Sequence, residues 1–230
     1  MTVEFNNVTY RYHYDDFDVL SGATFTLGDG VNTVLCDIQS GKGTICKLIL
    51  GNLAPTSGQV LVNGQDATKL VKNQMDALYL TAQPSFFENR SVRYNLEYPL
   101  RVRKTLKQSG ERLTELIEEF GLTELLNKKV KTLSLQQKLL LSLARGLTVR
   151  RQLVLLDGFF DDTNAINGCE ALSITNVLAK FPCTTVLLTT RAHQAIGHTV
   201  VLDGGTCVYE GDAKSAQEVV ANLGWLADKI

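Results

Sequence analysis

The feature that most constrains this chain is a short apolar strand that runs into a Gly-Lys pair and then into a helix. Residues 31–35 have the composition of a buried strand, and apolar residues recur at helical spacing from Gly43 until Gly51. Gly41 and Lys42 lie between the two elements. In a phosphate loop, glycines let backbone N–H groups converge on an anion at a helix N-terminus, and a lysine neutralises it. The pattern therefore predicts an α/β fold with a candidate phosphate loop.

The loop lacks several parts of a complete phosphate loop. Cys36 and Gln39 stand where residues that tolerate positive φ are expected, and Gly43 stands where a hydroxyl would ligate Mg²⁺. Thr44 comes one residue later and is rotated by about 100° around the helix, so we do not expect it to replace that ligand. Taken alone, the loop is compatible with a phosphate site, a broken site or a coincidence.

Length, composition and charge favour one α/β domain. The chain has 230 residues, of which 44% are hydrophobic and 20% are charged, which is typical of a globular protein. A net charge of -1 argues against a nucleic-acid partner held by bulk electrostatics. The basic run at 101–104 is either a local patch or a solvated helix face, and we favour the second interpretation.

The spacing of the cysteines and the length of the apolar runs indicate the cellular compartment in which the chain is expected. No two of the five cysteines have the close spacing of a zinc site or a redox dithiol, which favours a reducing compartment. The first ten residues carry no basic region followed by an apolar core, and no apolar run approaches the ~20 residues that span a bilayer. We expect a cytoplasmic chain that reaches a membrane only through partner subunits.

Periodicity divides the chain into a strand-rich frame and a helical segment. Strands are predicted at residues 3–10, 23–27, 31–35, 59–64, 77–81, 152–156 and 185–189, with a closing hairpin of 199–202 and 206–209. The strand at 77–81 is predicted to be buried. From about residue 92 the chain is charged and places four apolar residues on one helical face: Leu113, Leu116, Ile117 and Phe120. A further helix is predicted at 136–147.

The chain resembles the nucleotide-binding subunit of ATP-binding cassette (ABC) transporters, in order, from residue 3 to about residue 212. The passage GNLAPTSGQVLVNG at 51–64 is the most specific local match, and residues 7–20 resemble the segment that offers an aromatic ring to adenine. Ala82-Gln83-Pro84 falls at the Q-loop, residues 133–137 at the signature motif and residues 153–157 at the Walker B strand. Several matches in one order are stronger evidence than any single motif.

The resemblance implies a fold and a set of site residues. The fold is an α/β P-loop NTPase core of ABC type, with an N-terminal antiparallel β subdomain and an inserted helical subdomain at approximately 92–147 of a single 1–230 domain. The cofactor is ATP, with Mg²⁺ bound weakly by Asp157 and Gln83. The implied nucleotide-binding residues are Tyr12, Cys36, Gln39, Ser40, Gly41, Lys42, Gly43, Thr44, Gln83 and Asp157. The implied signature residues that face a partner are Ser134 and Gln137.

The chain departs from the family pattern at the positions that carry hydrolysis. Gly158 replaces the glutamate that acts as general base, and Arg191 replaces the histidine that contacts the γ phosphate. His193 lies two residues further on and is expected to face elsewhere. Leu135 and Gln136 replace both signature glycines. At the D-loop, the aspartate position is Asn164.

These departures define the functional hypotheses. Losing a general base or an electrostatic contributor commonly costs about 10² to 10³ in rate, so we expect nucleotide binding with weak or no hydrolysis. The expected partners are transmembrane permease subunits and a second ABC nucleotide-binding subunit, in a homodimer or a heterodimer. One alternative is an adaptor that has kept the fold and lost nucleotide. Another is a slow ATPase with a reshaped site.

Several of these residues can also have a purely structural role. Lys42 can be a plain surface lysine, and Asp157 can be a helix N-cap or turn residue instead of a metal-facing carboxylate. Cys36 is either a redox switch with a lowered pKa or a small buried hydrophobe. Phe86 and Phe87 are either core residues or a docking surface for a membrane partner.

Arg191 also has two interpretations. It supplies a positive charge near the γ phosphate, or it pairs with Asp161 or Asp162. The assignment of Gln83 depends on its position alone.

Overall fold

The computed structural model describes residues 1–14, 16–37, 41–70, 76–161 and 168–225. Within these ranges the strands are β1 (Val3–Tyr10), β2 (Leu20–Leu27), β3 (Val31–Cys36), β4 (Ser57–Val62), β5 (Gln65–Asp66), β6 (Ala77–Thr81), β7 (Leu153–Asp157), β8 (Thr184–Thr189), β9 (His198–Asp203) and β10 (Thr206–Asp212). The α-helices are α1 (Lys42–Ile49), α2 (Val92–Val102), α3 (Gly110–Glu119), α4 (Leu135–Leu147), α5 (Gly168–Leu178) and α6 (Ala213–Leu223).

The N-terminal strands form an antiparallel sheet in the order β2-β1-β4-β5. Alternation in β1 buries Val3 and Phe5 on one face, and the ring of Phe5 stacks on that of Phe25 with centroids 4.4 Å apart. The register with β2 shifts between Phe5 and Val8, so that Val8 faces the same core. This sheet is the antiparallel β subdomain expected from the sequence.

A six-stranded sheet in the order β10-β9-β3-β8-β7-β6 forms the centre of the fold. Strands β9, β3, β8, β7 and β6 run parallel, and β10 pairs antiparallel with β9. In the register of the central strands, Leu35 lies opposite Thr189 and Asp157 lies opposite Leu188. The carboxyl ends of β3, β8 and β7 are therefore adjacent, and ligands of open α/β sheets bind at such ends.

Both faces of the parallel sheet are covered by other elements, which explains why the sequences of its strands are continuous apolar runs. In β7, Leu153 and Leu155 pack with α1 and the antiparallel sheet, whereas Val154 and Leu156 pack with the helices on the other face. A smaller cluster packs α6 against Val201. The sheet is thus the middle layer of three.

Residues 92–147 contain α2, α3 and α4 and contribute no strand to either sheet. The four apolar residues predicted to share a helical face are all buried: Leu113, Leu116, Ile117 and Phe120. Ser91 caps α2 by accepting from the backbone N–H of Tyr94 at 3.1 Å. No α-helix in the described ranges combines the length and apolar character needed to cross a membrane.

Three sequence-based expectations need correction. The strand at 77–81 is not buried: β6 lies at the edge of its sheet, and Tyr79 is 40% exposed. An edge strand has a single strand neighbour, which its apolar composition does not reveal. Strand β2 begins at Leu20, earlier than predicted, because pairing with β1 continues to Tyr10. The sequence analysis missed β5, α5 and α6.

Candidate functional site

The candidate site lies where α1 begins, at the carboxyl ends of β3, β7 and β8. Gly41 precedes α1 with φ 73°, and a Cβ on it would lie 2.2 Å from Cγ1 of Val19. Only glycine combines this left-handed conformation with this close approach. Gln39 and Ser40 lie outside the described residues.

Lys42 is held by a carboxylate from the segment after β7. Its Nζ donates to Oδ2 of Asp161 at 2.5 Å, and both side chains are largely shielded from solvent. The hydroxyl of Thr189 donates to the other oxygen, Oδ1 of Asp161, at 2.6 Å. Asp161 thereby links α1, β8 and the chain after β7. Lys42 is not a plain surface lysine.

Gly158 follows Asp157 directly and also has a left-handed backbone, with φ 58°. Its N–H donates to the carbonyl of Leu188 at 2.9 Å, which holds this turn against β8. A Cβ built on Gly158 would lie 3.1 Å from Oδ2 of Asp161. The space beside residue 158 is therefore occupied by the Asp161 carboxylate.

Arg191 contacts the same segment through the backbone. Its Nε donates to the carbonyl oxygen of Asp161 at 2.9 Å, while the Asp161 carboxylate is bound by Lys42 and Thr189. The sequence analysis had allowed a pairing of Arg191 with Asp161, and this contact is with the main chain. Asp162 lies outside the described residues. His193 is exposed, in a short 3-10 helix after β8 (Ala192–Gln194).

Asp157, at the end of β7, accepts a hydrogen bond from a neighbouring strand. The hydroxyl of Tyr79 donates to Oδ2 of Asp157 at 2.7 Å. Partial burial and the carboxylate itself raise the pKa of Tyr79 above its ordinary value, so the phenol stays protonated and remains a donor. A Cβ on Gly43 would lie 3.5 Å from the same oxygen. The helix therefore presents no hydroxyl at the position closest to Asp157.

Thr44 is hydrogen-bonded to Tyr12. The two hydroxyl oxygens lie 2.8 Å apart, and the ring of Tyr12 contacts that of Tyr10 edge-on with centroids 5.0 Å apart. The aromatic residue expected near adenine is thus tied to the first turn of α1. Three side chains expected to meet Mg²⁺-ATP each have a partner within the chain: Lys42, Thr44 and Asp157.

Cys36, the last residue of β3, is fully buried in the core cluster beneath the loop. Burial raises the pKa of its thiol to about 12. A redox switch at a helix N-terminus requires a lowered pKa. The structure therefore favours the interpretation of Cys36 as a small buried hydrophobe.

The start of α4 is closed by a capping box. Oγ of Ser134 accepts from the backbone N–H of Gln137 at 3.2 Å, and Oε1 of Gln137 accepts from the backbone N–H of Ser134 at 3.1 Å. The two side chains predicted to face a partner's phosphate therefore bond to this helix end. Leu135, in the first turn, is 40% exposed.

A cleft of about 590 Å³ joins several of these positions. Gln83 is exposed and lines the cleft together with Leu135, Gly158 and Asp161. Lys138 also lines the cleft and donates to both carboxylate oxygens of Glu88, at 3.1 and 3.2 Å. The positions predicted as Q-loop and signature thus contribute residues to the same cleft as Asp161.

The two adjacent phenylalanines have different environments. Phe86 packs against the core and lies beneath the guanidinium of Arg145, 4.4 Å from its ring centroid. Phe87 is 43% exposed and contacts the rings of Tyr94 and Tyr98. One of the pair is therefore a core residue, and the other belongs to a surface aromatic cluster.

A sequence model built from known family members identifies the family of this chain. The model for the ABC transporter family matches residues 23–160, which is more than half of the chain. The chain belongs to the ABC transporter family. The match includes α1, β7 and the segment that carries Gly158.

Related sequences and structures agree with this assignment. The molybdate/tungstate import ATP-binding protein WtpC of Methanocaldococcus jannaschii is 31% identical over 73% of this chain and 56% of its own length. The thiamine import ATP-binding protein ThiQ of Aliivibrio fischeri is 27% identical over 84% of this chain and 81% of its own. The chain spans about half the length of several curated relatives that it matches.

Solved structures confirm the ABC fold. CbiO1 from Clostridium perfringens, part of the ABC transporter complex cbiONQ, superposes with a TM-score of 0.80 at 17% identity. The superposition covers 96% of this chain and 94% of that one. The fold class predicted from the resemblance is therefore confirmed.

Sequence reasoning missed two side chains of this ABC-type site and gave a third only a minor role. The sequence predicts Tyr79 and Thr189 only as strand residues, and Asp161 only as one of two partners for Arg191. The place of Asp161 at the site could have been predicted from the sequence, because an acidic residue four positions after the Walker B aspartate lies near the ligand-binding end of the sheet. The place of Tyr79 could not have been predicted, since its hydrogen bond to Asp157 depends on which strand lies beside β6.

Proposed function

We propose that this chain is the ATP-binding subunit of an ABC transporter, that it binds nucleotide with weak or no hydrolysis, and that it works as a dimer with transmembrane subunits. The observation that carries the proposal is Gly158. It directly follows Asp157 in an ABC fold, has no side chain to accept a proton, and has beside it a carboxylate that is bound to Lys42 and Thr189.

The described residues fit nucleotide binding in part. The N-terminus of α1 favours an anion, and Lys42 lies in its first turn. In the proposed site the ring of Tyr12 contacts adenine, while Thr44 and the loop positions Gln39, Ser40, Gly41 and Gly43 surround the phosphates above the buried Cys36. ATP would have to replace the intramolecular partners of Lys42 and Thr44.

Magnesium binding is proposed to be weak. Asp157 and Gln83 are the candidate ligands, but Gly43 supplies no hydroxyl and Asp157 is hydrogen-bonded to Tyr79. Mg²⁺ requires near-ideal octahedral oxygen ligation, so the loss of one ligand weakens the site. A missing base together with a weak metal site accounts for little turnover, because each commonly contributes about 10² or more in rate.

The proposed partners are permease subunits and a second nucleotide-binding subunit, in a homodimer or a heterodimer. The exposed aromatic cluster of Phe87, Tyr94 and Tyr98 is the surface we assign to the permease. Across the dimer, the N-terminus of α4 with Ser134 and Gln137 would approach the partner's nucleotide. The chain would lie at the cytoplasmic face of the membrane, and residues 92–147 would form the helical subdomain.

WtpC and ThiQ are named as import ATP-binding proteins, and we extend that direction to this chain. The segment SVRYNLEYPLRVRK, which carries Tyr94 and Tyr98 of the aromatic cluster, resembles importer-type chains. We propose no transported substrate.

Titration with ATP tests the nucleotide site. We expect Lys42→Ala to weaken ATP binding by about 10-fold to 100-fold, because it removes a charge-assisted contact to phosphate worth about 1.5–3 kcal/mol. Lys47→Ala is the matched control, since Lys47 lies on the same helix with an exposed side chain. Calorimetric affinities and phosphate release from the same samples give binding and turnover together.

Two outcomes would change the assignment. Turnover at ordinary transporter rates would contradict the proposed loss of hydrolysis, whereas slow but measurable turnover that depends on ATP binding would support the slow ATPase with a reshaped site. Undetectable binding of ATP and ADP at millimolar concentration, with partner association retained, would favour an adaptor that has lost nucleotide. The intramolecular contacts of Lys42, Thr44 and Asp157 are the observation that favours this second function.

A further inference from the structure

The Asp161 carboxylate contacts the group that a phosphate loop offers to phosphate. Oδ2 of Asp161 lies 2.5 Å from Nζ of Lys42, and Oδ1 accepts from the hydroxyl of Thr189 at 2.6 Å. Both carboxylate oxygens are therefore engaged by donors. This arrangement neutralises the lysine without any ligand.

The backbone around Asp161 is held as firmly as its side chain. The N–H of Asp161 donates to the carbonyl of Gly158 at 3.0 Å, and its carbonyl accepts from Arg191. The preceding residue, Phe160, is fully buried, and its carbonyl accepts from the side-chain amide of Gln194 at 2.6 Å. The carboxylate is thus aimed at Lys42 by a buried anchor, and the contact is not a chance meeting of two flexible side chains.

We propose that Asp161 is an internal competitor for the phosphate-binding lysine, so that ATP binds only by displacing its carboxylate from Lys42. This inference depends on the proposed function, since it assigns Lys42 to the phosphates of ATP. The Lys42 ammonium is already paired with Asp161, and a phosphate placed on the same ammonium would lie beside that carboxylate, where the two negative charges repel each other. Asp161 therefore sets the affinity of the site for polyphosphate.

The alternative role for this carboxylate is that of the missing general base. Oδ2 lies 3.1 Å from the position that a Cβ would occupy at Gly158, so Asp161 occupies space that a side chain on residue 158 would use. A base needs an acceptor directed at water, and each oxygen of Asp161 already accepts a hydrogen bond, from Lys42 or from Thr189, which leaves fewer lone pairs for a water molecule. The geometry favours the competitor, and the two roles give opposite results on neutralisation.

Asp161→Asn tests the competitor directly, because it removes the charge and changes the shape of the side chain very little. Calorimetric titration with ATP in the presence of EDTA removes any contribution from Mg²⁺. We expect the dissociation constant for ATP to fall by about tenfold or more, because a charge-assisted contact no longer opposes binding. AMP, which has no phosphate that reaches the lysine, should bind equally to the wild type and the variant.

Two further variants isolate the mechanism. Glu119→Gln is the matched control, because Glu119 pairs with Lys180 away from the site and its neutralisation changes the net charge equally. In a Lys42→Ala background, Asp161→Asn should no longer improve ATP binding, since the competition requires the lysine. Asp161→Ser removes the charge with a smaller side chain and repeats the test if Asp161→Asn folds poorly in a thermal melt.

The outcomes separate this inference from the proposed function. Equal ATP affinity of wild type and Asp161→Asn would overturn the competitor and leave nucleotide binding intact. Loss of a measurable wild-type turnover in Asp161→Asn, without tighter binding, would overturn it in favour of a base. ATP binding by Asp161→Asn alone would support the competitor and contradict nucleotide binding by the wild type. No binding by either folded protein would overturn both.

Discussion

The two ends of the proposed nucleotide-binding site, the start of α1 and the start of α4, use their polar side chains in different ways. At α4, Ser134 and Gln137 bond to each other's backbone across three residues of sequence. At α1, Lys42 bonds to Asp161 across 119 residues. Both ends lie at the N-terminus of an α-helix. The difference shows that one end is stabilised by local contacts and the other by the assembled fold.

This contrast has a consequence for stability and ligand response. A capping box belongs to its own helix and forms whenever that helix forms. The pairing of Lys42 with Asp161 requires α1, β7 and β8 to be in place, since Asp161 is held by groups on all three sides. Changes at α4 should therefore act on one helix, and changes around Asp161 should act on the whole domain.

The largest expected effect is the loss of the anchor beneath Asp161. Phe160 is fully buried beside Phe159, so Phe160→Ala should lower the free energy of unfolding by about 3–5 kcal/mol. Urea denaturation followed by circular dichroism measures this change. Phe17→Ala, at a phenylalanine that is 66% exposed, should change it by about 0.5 kcal/mol or less. Equal effects of the two variants would show that the segment of Asp161 is not anchored by the core.

A smaller change in the free energy of unfolding is expected at the start of α4, where the contacts are local. Ser134→Ala removes the side-chain cap of α4 and should cost about 1 kcal/mol. Ser109→Ala provides the comparison, because Ser109 stands at the same position of α3 but its hydroxyl donates to the carbonyl of Thr105 at 3.0 Å and does not cap the helix. Urea denaturation should show the larger loss for Ser134→Ala. If Ser134→Ala also altered ATP binding in the isolated chain, the proposed separation of the two ends would be wrong.

The smallest effect is expected for Tyr79→Phe, at about 0.5 kcal/mol near neutral pH, because the hydrogen bond to Asp157 is partly exposed. The pH dependence is more informative. The pKa of Tyr79 is raised in the folded chain from an ordinary value of 10.0. Above about pH 10 the unfolded chain loses a proton that the folded chain keeps, so the free energy of unfolding falls as pH rises.

Denaturation of wild type and Tyr79→Phe from about pH 8 to pH 11 checks the sign. The wild type should lose stability more steeply above pH 10 than the variant does. Tyr14→Phe serves as the control, because Tyr14 is exposed and has no hydroxyl contact of this kind among the described residues. Parallel curves for wild type and Tyr79→Phe would mean that the hydrogen bond to Asp157 does not control this titration.

Much of the frame could be predicted because its signals are local. Alternation predicted β1, the apolar run ending in Asp157 predicted β7, and the spacing of Leu113 to Phe120 predicted a buried helical face. The edge position of β6 could not be predicted, because strand order depends on which strands meet in the sheet. For the same reason, the sequence analysis gave Tyr79 no role.

The sequence by itself determined the ABC fold, the positions of Gly41, Lys42 and Asp157, and the absence of a side chain at Gly158, since these depend on residue type and local spacing. Only the tertiary structure decided what those side chains bind. The pairs Lys42 with Asp161, Asp157 with Tyr79 and Thr44 with Tyr12 each join distant parts of the chain. Adjacent parallel strands bring their ends together in space, and no local pattern records which groups meet there.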